Sequence, residues 1–359
     1  MLTPGDRWMR FLHYQSVDRP PFLLPGGPWG TTLKRWHAEG LPRGVSLEEH
    51  FGTDPHRCRH VGIETQFYPA FTERIIEETP DFVIKIDSHG VKVRNFHDES
   101  SMAEHLEYPI KSRADLAWLK ERLSWTTPGR VRVEWQDEAR ARRAAGGLSL
   151  CNGGTYFAFL NEHMGTDRLM FAYVDDPDFV HEVNELLCIL CEQALRTCVP
   201  TGLVDYIGYH EDMAYKNGSL ISPAMFREFM TPCYQRIRAL TVPAGLDLHM
   251  MDSDGDIRQL IPLWLEVGIN SFTPCEVAAG MDVVALRREY GQAITMLGGF
   301  DKRILASDRA AIKAEVERLR PVIEGGGYLC SCDHGVPHDV SFANYSYLVE
   351  CLRTICGVR

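Results

Sequence analysis

Apolar and polar positions along the chain fall into a repeating strand–helix rhythm. Leu246, Leu248 and Met250 alternate with polar neighbours behind Val242-Pro243, as in a strand buried on one side. That strand runs into Asp252-Ser253-Asp254-Gly255-Asp256 and then into a helical pattern over 257–265. The same order recurs around it. Strands are expected at 148–151, 204–209, 269–272, 294–297 and 328–332, each ending in polar or glycine residues. Pro177 behind Asp176 and Pro223 behind Ser222 open helices as capped N-terminal prolines.

The first third is less regular. Trp8, Met9 and Leu12 mark a helix within residues 1–18, stopped by Pro20-Pro21. Phe22-Leu23-Leu24 reads as a short buried strand, and a helix starts near Trp29 after Pro25-Gly26-Gly27-Pro28. Residues 46–56 suggest a short helix and turn. Alternation over 73–78, 81–87 and 91–94, with Ser88-His89-Gly90 between the last two, predicts an antiparallel hairpin. The Arg-rich stretch 112–145 reads as solvated helix. The fold class expected is α/β, a (β/α)8 TIM barrel with an N-terminal antiparallel hairpin insertion, built as one domain over residues 1–359. Seven of the eight strands can be located.

Composition narrows the partners. With 359 residues, 45% hydrophobic, and a net charge of −11, the chain suits a globular protein that offers neither nucleic acid nor an anionic membrane a basic surface. No apolar run is long enough to span a bilayer, and Met1-Leu2-Thr3-Pro4-Gly5-Asp6-Arg7 lacks the order of a signal peptide, so a cytoplasmic location is expected. Eleven cysteines without paired spacing read as reduced, buried side chains.

In a barrel, residues at the carboxyl ends of the strands converge whatever their separation in sequence. Those residues are Asn152, His210-Glu211-Asp212, His249 with Asp252 and Asp254, Glu276, Asp301 with Lys302 and Arg303, and Cys332-Asp333-His334. Such a mixture of imidazole and carboxylate suits zinc with an open coordination position. Trp29, Trp36, Tyr156 and Phe300, together with Asn152, are candidates to line a pocket for a flat substrate.

A series of motifs carries a family resemblance. It runs Glu211-Asp212-Met213, Gly218 with Ser222-Pro223 and Phe226, Asp252-Ser253-Asp254-Gly255-Asp256, and Gly280-Met281-Asp282. It continues with Gly298-Gly299-Phe300-Asp301-Lys302-Arg303, Gly325-Gly326-Gly327-Tyr328, and Asp333-His334 with Pro337 and Asn344-Tyr345. In this order, and with Asp18-Arg19-Pro20-Pro21 near the start, the chain resembles the uroporphyrinogen decarboxylase superfamily. The resemblance implies a (β/α)8 barrel with its site at the strand carboxyl ends. True decarboxylases of the family carry an arginine-rich segment after the first strand to clamp substrate carboxylates; here Pro25-Gly26-Gly27-Pro28-Trp29-Gly30 stands in its place. The chain is therefore more similar to the branch that moves methyl groups to or from a corrinoid-carrying protein with zinc. The thiol-using members of that branch have a His-x-Cys pattern and a late Cys where this chain has Asp252-x-Asp254 and His334. Ether-cleaving members carry a Glu…Glu…His pattern, to which Glu211, Glu228 and His249 are similar.

The resulting expectation is a zinc-dependent methyltransferase demethylating a small methylated or methoxylated substrate onto a corrinoid-binding protein. Glu211, His249 and His334 are the expected zinc ligands. Asp252 and Asp254 are expected as ligands, orienters or catalytic groups, and Asp301 and Lys302 as substrate-positioning ones. A metal-free decarboxylase or lyase and a non-catalytic binding barrel are the rival readings; a homodimer is compatible with each.

Overall fold

The computed structural model describes residues 2–55, 58–97 and 102–358. Seven strands form one parallel sheet whose spatial order is their sequence order. They are β1 (Cys58–His60), β2 (Leu148–Asn152), β3 (Tyr206–His210), β4 (His249–Asp252), β5 (Ser271–Thr273), β6 (Thr295–Phe300) and β7 (Tyr328–Cys332). Helices cross between them, including Pro177–Cys198 before β3, Thr231–Thr241 before β4 and Arg309–Glu324 before β7. Sequential parallel strands with helical crossovers curl in a single sense, giving a TIM-barrel-like arrangement.

Two expectations about strands change. Residues 22–24 do not pair as a strand; they lie in a proline-flanked connection across the gap between β7 and β1. Cys332 N donates to Pro25 O at 3.4 Å, and Asp54 N to Phe22 O at 2.7 Å. Pro20, Pro21 and Pro25 have no N–H to give to a ladder, which is why an apolar triplet fails to become a strand here. The strand in register with β2 is instead Cys58-Arg59-His60, a triplet with no apolar alternation to announce it. The expected hairpin is also larger: Arg74–Glu78, Phe82–Ile86, Lys92–Phe96 and Glu104–Glu107 form a four-stranded antiparallel sheet in that order. The Arg-rich stretch 112–145 contains helices Leu116–Arg122 and Trp135–Ala144, as expected.

The sheet has two faces, and alternation along each strand decides which residue goes where. Leu148, Leu248, Met250 and Leu329 pack with Cys58 and Tyr206 in one cluster, with Leu150 and Leu297 against it. Trp8, Phe11 and Leu12 from helix Pro4–Leu12 join that cluster and close it at the amino ends of the strands. Residues of the opposite parity, including Cys151, Ile207, Tyr209, Met251, Phe272, Met296, Phe300 and Tyr328, pack outward in the larger cluster shared with the helices. The inner side is thus sealed at one end and left open at the other. Among the described residues, no helix is long and apolar enough to cross a membrane.

Candidate active site

At the carboxyl ends of the strands the inner side opens into a cavity of about 790 Å³. Its deeper wall includes Leu150, Tyr206, Gly208 and Met250, and its polar lining includes His60, Asn152, Glu162, His210, Asp252 and Thr273. Gly208 keeps this space open: a Cβ there would come within 2.5 Å of Leu150 Cδ1.

His210, the last residue of β3, stands among three carboxylates. Its Nε2 is 3.2 Å from Glu162 Oε1 and 3.7 Å from Asp212 Oδ2, and its Nδ1 is 3.8 Å from Asp252 Oδ2. Asp252, then Glu162, favour the protonated ring strongly enough to overcome burial, and the His210 pKa is pushed up to about 11. The site therefore holds an imidazolium at neutral pH. Burial raises Glu162, but its hydrogen bond to His210 more than offsets this and leaves it below the usual carboxylate range. Asp212 goes the other way: burial raises it, with Asp254 and Asp252 adding like-charge repulsion. Asp212 also has φ +38°, in the left-handed region that few non-glycine residues occupy. That conformation aims its Oδ1 at Asp254 N, 2.9 Å away.

Asp254 extends the network around the rim. Its Oδ1 is 3.1 Å from His334 Nε2. His334 Nδ1 is 3.7 Å from Asp333 Oδ1, which lies 3.6 Å from Lys302 Nζ. Asp254, then Asp333, push the His334 pKa up to about 10. Asp333 Oδ1 and His334 Nδ1 are buried without a hydrogen-bond partner among the described residues. The loop after β4 that carries Asp254 needs Gly255, at φ +85°, because a Cβ would come within 2.5 Å of Ala214 O. Five carboxylates (Glu162, Asp212, Asp252, Asp254, Asp333) thus face three cations (His210, His334, Lys302). Arg130 and Arg132 line the same cavity, so its wall carries both signs of charge.

The expected zinc ligands do not meet. Glu211 follows His210 by one residue and so takes the outward parity, where it is fully buried. Its carboxylate accepts from the backbone N–H of Tyr156 (2.9 Å), Phe157 (2.7 Å) and Ala158 (3.1 Å), and from Tyr234 Oη (2.6 Å). Burial raises its pKa against the pull of these four donors. Its place is at the start of helix Phe157–Met164, holding that helix to the sheet. His249 begins β4, also with outward parity, and sits 2.8 Å from the Tyr209 hydroxyl and 3.0 Å from Thr241 Oγ1. Burial pushes the His249 pKa down to about 4. His334 alone of the three remains at the open end. Glu228 is solvent-exposed on helix Pro223–Phe229, 3.6 Å from His181. Among the described residues, no group of three or more His, Cys, Asp and Glu side chains is arranged to hold a metal ion.

The neutral, buried His249 makes stability depend on pH. Its folded pKa lies below the unfolded value of 6.5, so its contribution is present above about pH 6.5 and is lost as the pH falls towards 4. Urea unfolding should find that the stability gap between wild type and His249→Gln narrows by about 3 kcal/mol across that window.

The remaining expected residues divide. Asn152 lines the cavity, with Nδ2 donating to Thr65 Oγ1 at 2.9 Å and Oδ1 accepting from Gly154 N. Asp252 lines it too, and Asp254 and Lys302 belong to the rim network. Trp29 is at the rim, 40% exposed, its ring against Gly335. Trp36, Tyr156 and Phe300 are core instead: each is fully buried, Trp36 donating to Val340 O at 2.9 Å and Tyr156 to Gly153 O at 3.1 Å. Asp301 caps helix Lys302–Leu305 and pairs with Arg303 through two 2.8 Å contacts, a local structural role. Glu162 is the cavity residue with no signal in the sequence, since nothing local marks one helical glutamate as facing a strand 48 residues on.

Comparison with known proteins agrees with this architecture. The uroporphyrinogen decarboxylase (URO-D) family model matches residues 155–355, more than half of the chain. The chain belongs to the uroporphyrinogen decarboxylase family. Uroporphyrinogen decarboxylases of Coxiella burnetii, from strains Dugway 5J108-111 and RSA 331, are 25% identical over 186 residues, which is 49% of this chain and 48% of theirs. The chain thus spans about half the length of the curated relatives it matches. Among solved structures, a methyltransferase from Methanosarcina mazei superposes over 99% of both chains with a TM-score of 0.61 at 14% identity, a likeness of fold.

Proposed function

We propose that this chain is an enzyme of the methyltransferase-like branch of the family, built on its seven-stranded TIM-barrel-like sheet. It removes a methyl group from a small methylated or methoxylated substrate and passes it to a corrinoid on a partner protein. The observation that carries this reading is the position of His210 at the cavity opening, with its ring nitrogens 3.2 to 3.8 Å from carboxylate oxygens of Glu162, Asp212 and Asp252. Removing a methyl group from an ether leaves an oxygen anion that needs a proton or a Lewis acid. Glu211, His249 and His334 do not fit a shared zinc ion, so no step is assigned to zinc. His210 fills the need as an acid.

At 3.8 Å the contact of His210 Nδ1 with Asp252 is longer than a hydrogen bond, so a substrate oxygen can displace the carboxylate and take its place beside the ring. Entry moves the largest support of the raised His210 pKa aside, which makes the ring a stronger acid at the point of use. The C–O bond then breaks with its electron pair kept by oxygen, and oxygen takes the Nδ1 proton. A reduced corrinoid docked over the opening supplies the nucleophile that accepts the methyl group. Glu162 stabilises the protonated ring between turnovers, and Asn152 offers an amide at the same wall.

The rival, metal-free decarboxylation, draws on the curated relatives. A single assay separates the two. The purified chain, a reduced corrinoid protein and a panel of methoxylated aromatics and small methyl ethers are mixed, with and without chelator. Corrinoid methylation that survives chelation is expected. Carbon dioxide release from carboxylated analogues, with no corrinoid methylation across the panel, would replace this reading with the rival.

A further inference from the structure

The cavity has a second pole on its β1 side, away from His210. His60 ends β1 level with Leu150 and Tyr206, deeper than His210, which is level with Asp252. From there residues 61–66 run beside residues 129–132: Glu64 N donates to Arg130 O and Arg132 N to Gly62 O, both at 2.8 Å. His60, Glu64, Tyr68, Arg130 and Arg132 line the cavity here, while Asp252 and Thr273 line it beyond β3.

Arg130 is the unusual member. It is 1% exposed, yet no carboxylate forms an ion pair with it among the described residues. A buried charge is ordinarily paired. Its donors go instead to backbone carbonyls: Nε to Ser124 O (3.0 Å), Nη1 to Glu64 O (2.8 Å) and Gln66 O (2.9 Å), and Nη2 to Arg122 O (2.6 Å). These bonds fix the guanidinium plane and leave one Nη2 hydrogen and the positive charge without a partner. Glu64 acts on that charge only through space, its Oε1 accepting from Gln66 N at 2.8 Å. Arg132 reaches Glu138 with Nη2 and has no protein partner for Nε among the described residues. Gly62 makes room for it, because a Cβ there would come within 2.6 Å of that Nε.

We propose that this pole binds a carboxylate of the substrate, which is a methoxylated aromatic acid; the placing of its methoxy end at His210 rests on the function proposed above. β1 and β3 are separated by two strand spacings, about 10 Å. Hydrogen bonds of about 3 Å at each end leave the length of one substituted ring between the poles. The cavity of about 790 Å³ is ample for such a molecule. Glu64, Glu162 and Asp252 in the same wall disfavour a dianion such as a phosphate, whereas one unpaired guanidinium matches one carboxylate. The pole is separate from residues 25–30, which carry no arginine.

Isothermal titration calorimetry on the purified chain, without corrinoid, tests this with para-methoxybenzoate and para-methoxybenzamide, which share a shape and differ in charge. The acid is expected to bind about tenfold or more tightly than the amide. Arg132 is largely exposed, so Arg132→Gln should fold; it should weaken the acid by about tenfold and leave the amide within about twofold. Equal affinity for acid and amide, no binding of either, or an Arg132→Gln chain that keeps the wild-type preference would each overturn the proposal. An acid bound in this arginine-dependent way but never demethylated would uphold the carboxylate site and remove the methyl-transfer reading instead.

Discussion

Replacing His210 with Gln should lower the rate of demethylation by about 10²–10⁴-fold while leaving the fold and substrate affinity nearly unchanged. Gln keeps a hydrogen-bonding group at the end of β3 but cannot give up a proton. The loss therefore falls on kcat rather than KM, because the missing interaction matters most as charge develops on the departing oxygen. His210 is only half-buried and Gln can still hydrogen-bond Glu162, so the chain should still fold while losing the stability that the charged ring contributes. The pH dependence of the wild type gives the same residue a second readout. With a pKa near 11 in the free enzyme, kcat/KM should hold across the neutral range and decline only at strongly alkaline pH, while kcat, set in the complex where Asp252 is displaced, should decline at lower pH. Asp252→Asn removes the first support of that pKa and should move the alkaline limit to lower pH. The same linkage has a sign for stability: a raised folded pKa stabilises below the unfolded value of 6.5, and the gain disappears as the pH climbs through about 11.

Glu211→Ala should cost about 3–5 kcal/mol of stability, the range seen when one member of a buried charged network is removed. Three backbone N–H groups at the start of helix Phe157–Met164 and the Tyr234 hydroxyl would lose their acceptor inside a water-free layer. Glu211→Gln is the informative partner. Its amide oxygen still accepts from the helix, and Tyr234 can turn its hydroxyl to accept from the amide nitrogen, so most of the stability should remain. Guanidinium unfolding checks both. A metal ligand would behave otherwise, with Gln and Ala alike losing metal at little cost to the apoprotein.

The contrast between His210 and Glu211 explains what the sequence made legible. The strand–helix rhythm from residue 148 onward was readable because each inner strand pairs an apolar stripe with a polar carboxyl end, and six strands fall where the alternation puts them. The same alternation, carried one step further, assigns the faces. Tyr206, Gly208 and His210 share the inner side, while Ile207, Tyr209 and Glu211 share the outer one. Leu248, Met250 and Asp252 are inside, which turns His249 outward to Tyr209. Clustering along the chain favoured Glu211 and His249 as ligands, but strand parity separates them from the cavity. Phe300 was misplaced for the same reason.

Other features left no trace in the sequence. Cys58-Arg59-His60 is a strand by position rather than composition, pinned by its register with Leu148–Leu150. Phe22-Leu23-Leu24 looks like a strand and is prevented by neighbouring prolines. Trp36 and Tyr156 are aromatic in a way that suits either a pocket or a core, and their indole and hydroxyl groups find buried carbonyls. Glu162 reaches His210 only through the packing of its helix on β3, which Glu211 itself maintains. The residue expected to bind metal instead anchors the helix that carries a carboxylate to His210.

The most direct measurement is a crystal structure with the demethylated product bound. The product's newly protonated oxygen is expected about 3 Å from His210 Nδ1, with Asp252 displaced from the ring and the body of the product over Leu150, Gly208 and Met250. A product seated instead beside His334 and Lys302, with His210 still closed on its three carboxylates, would contradict it.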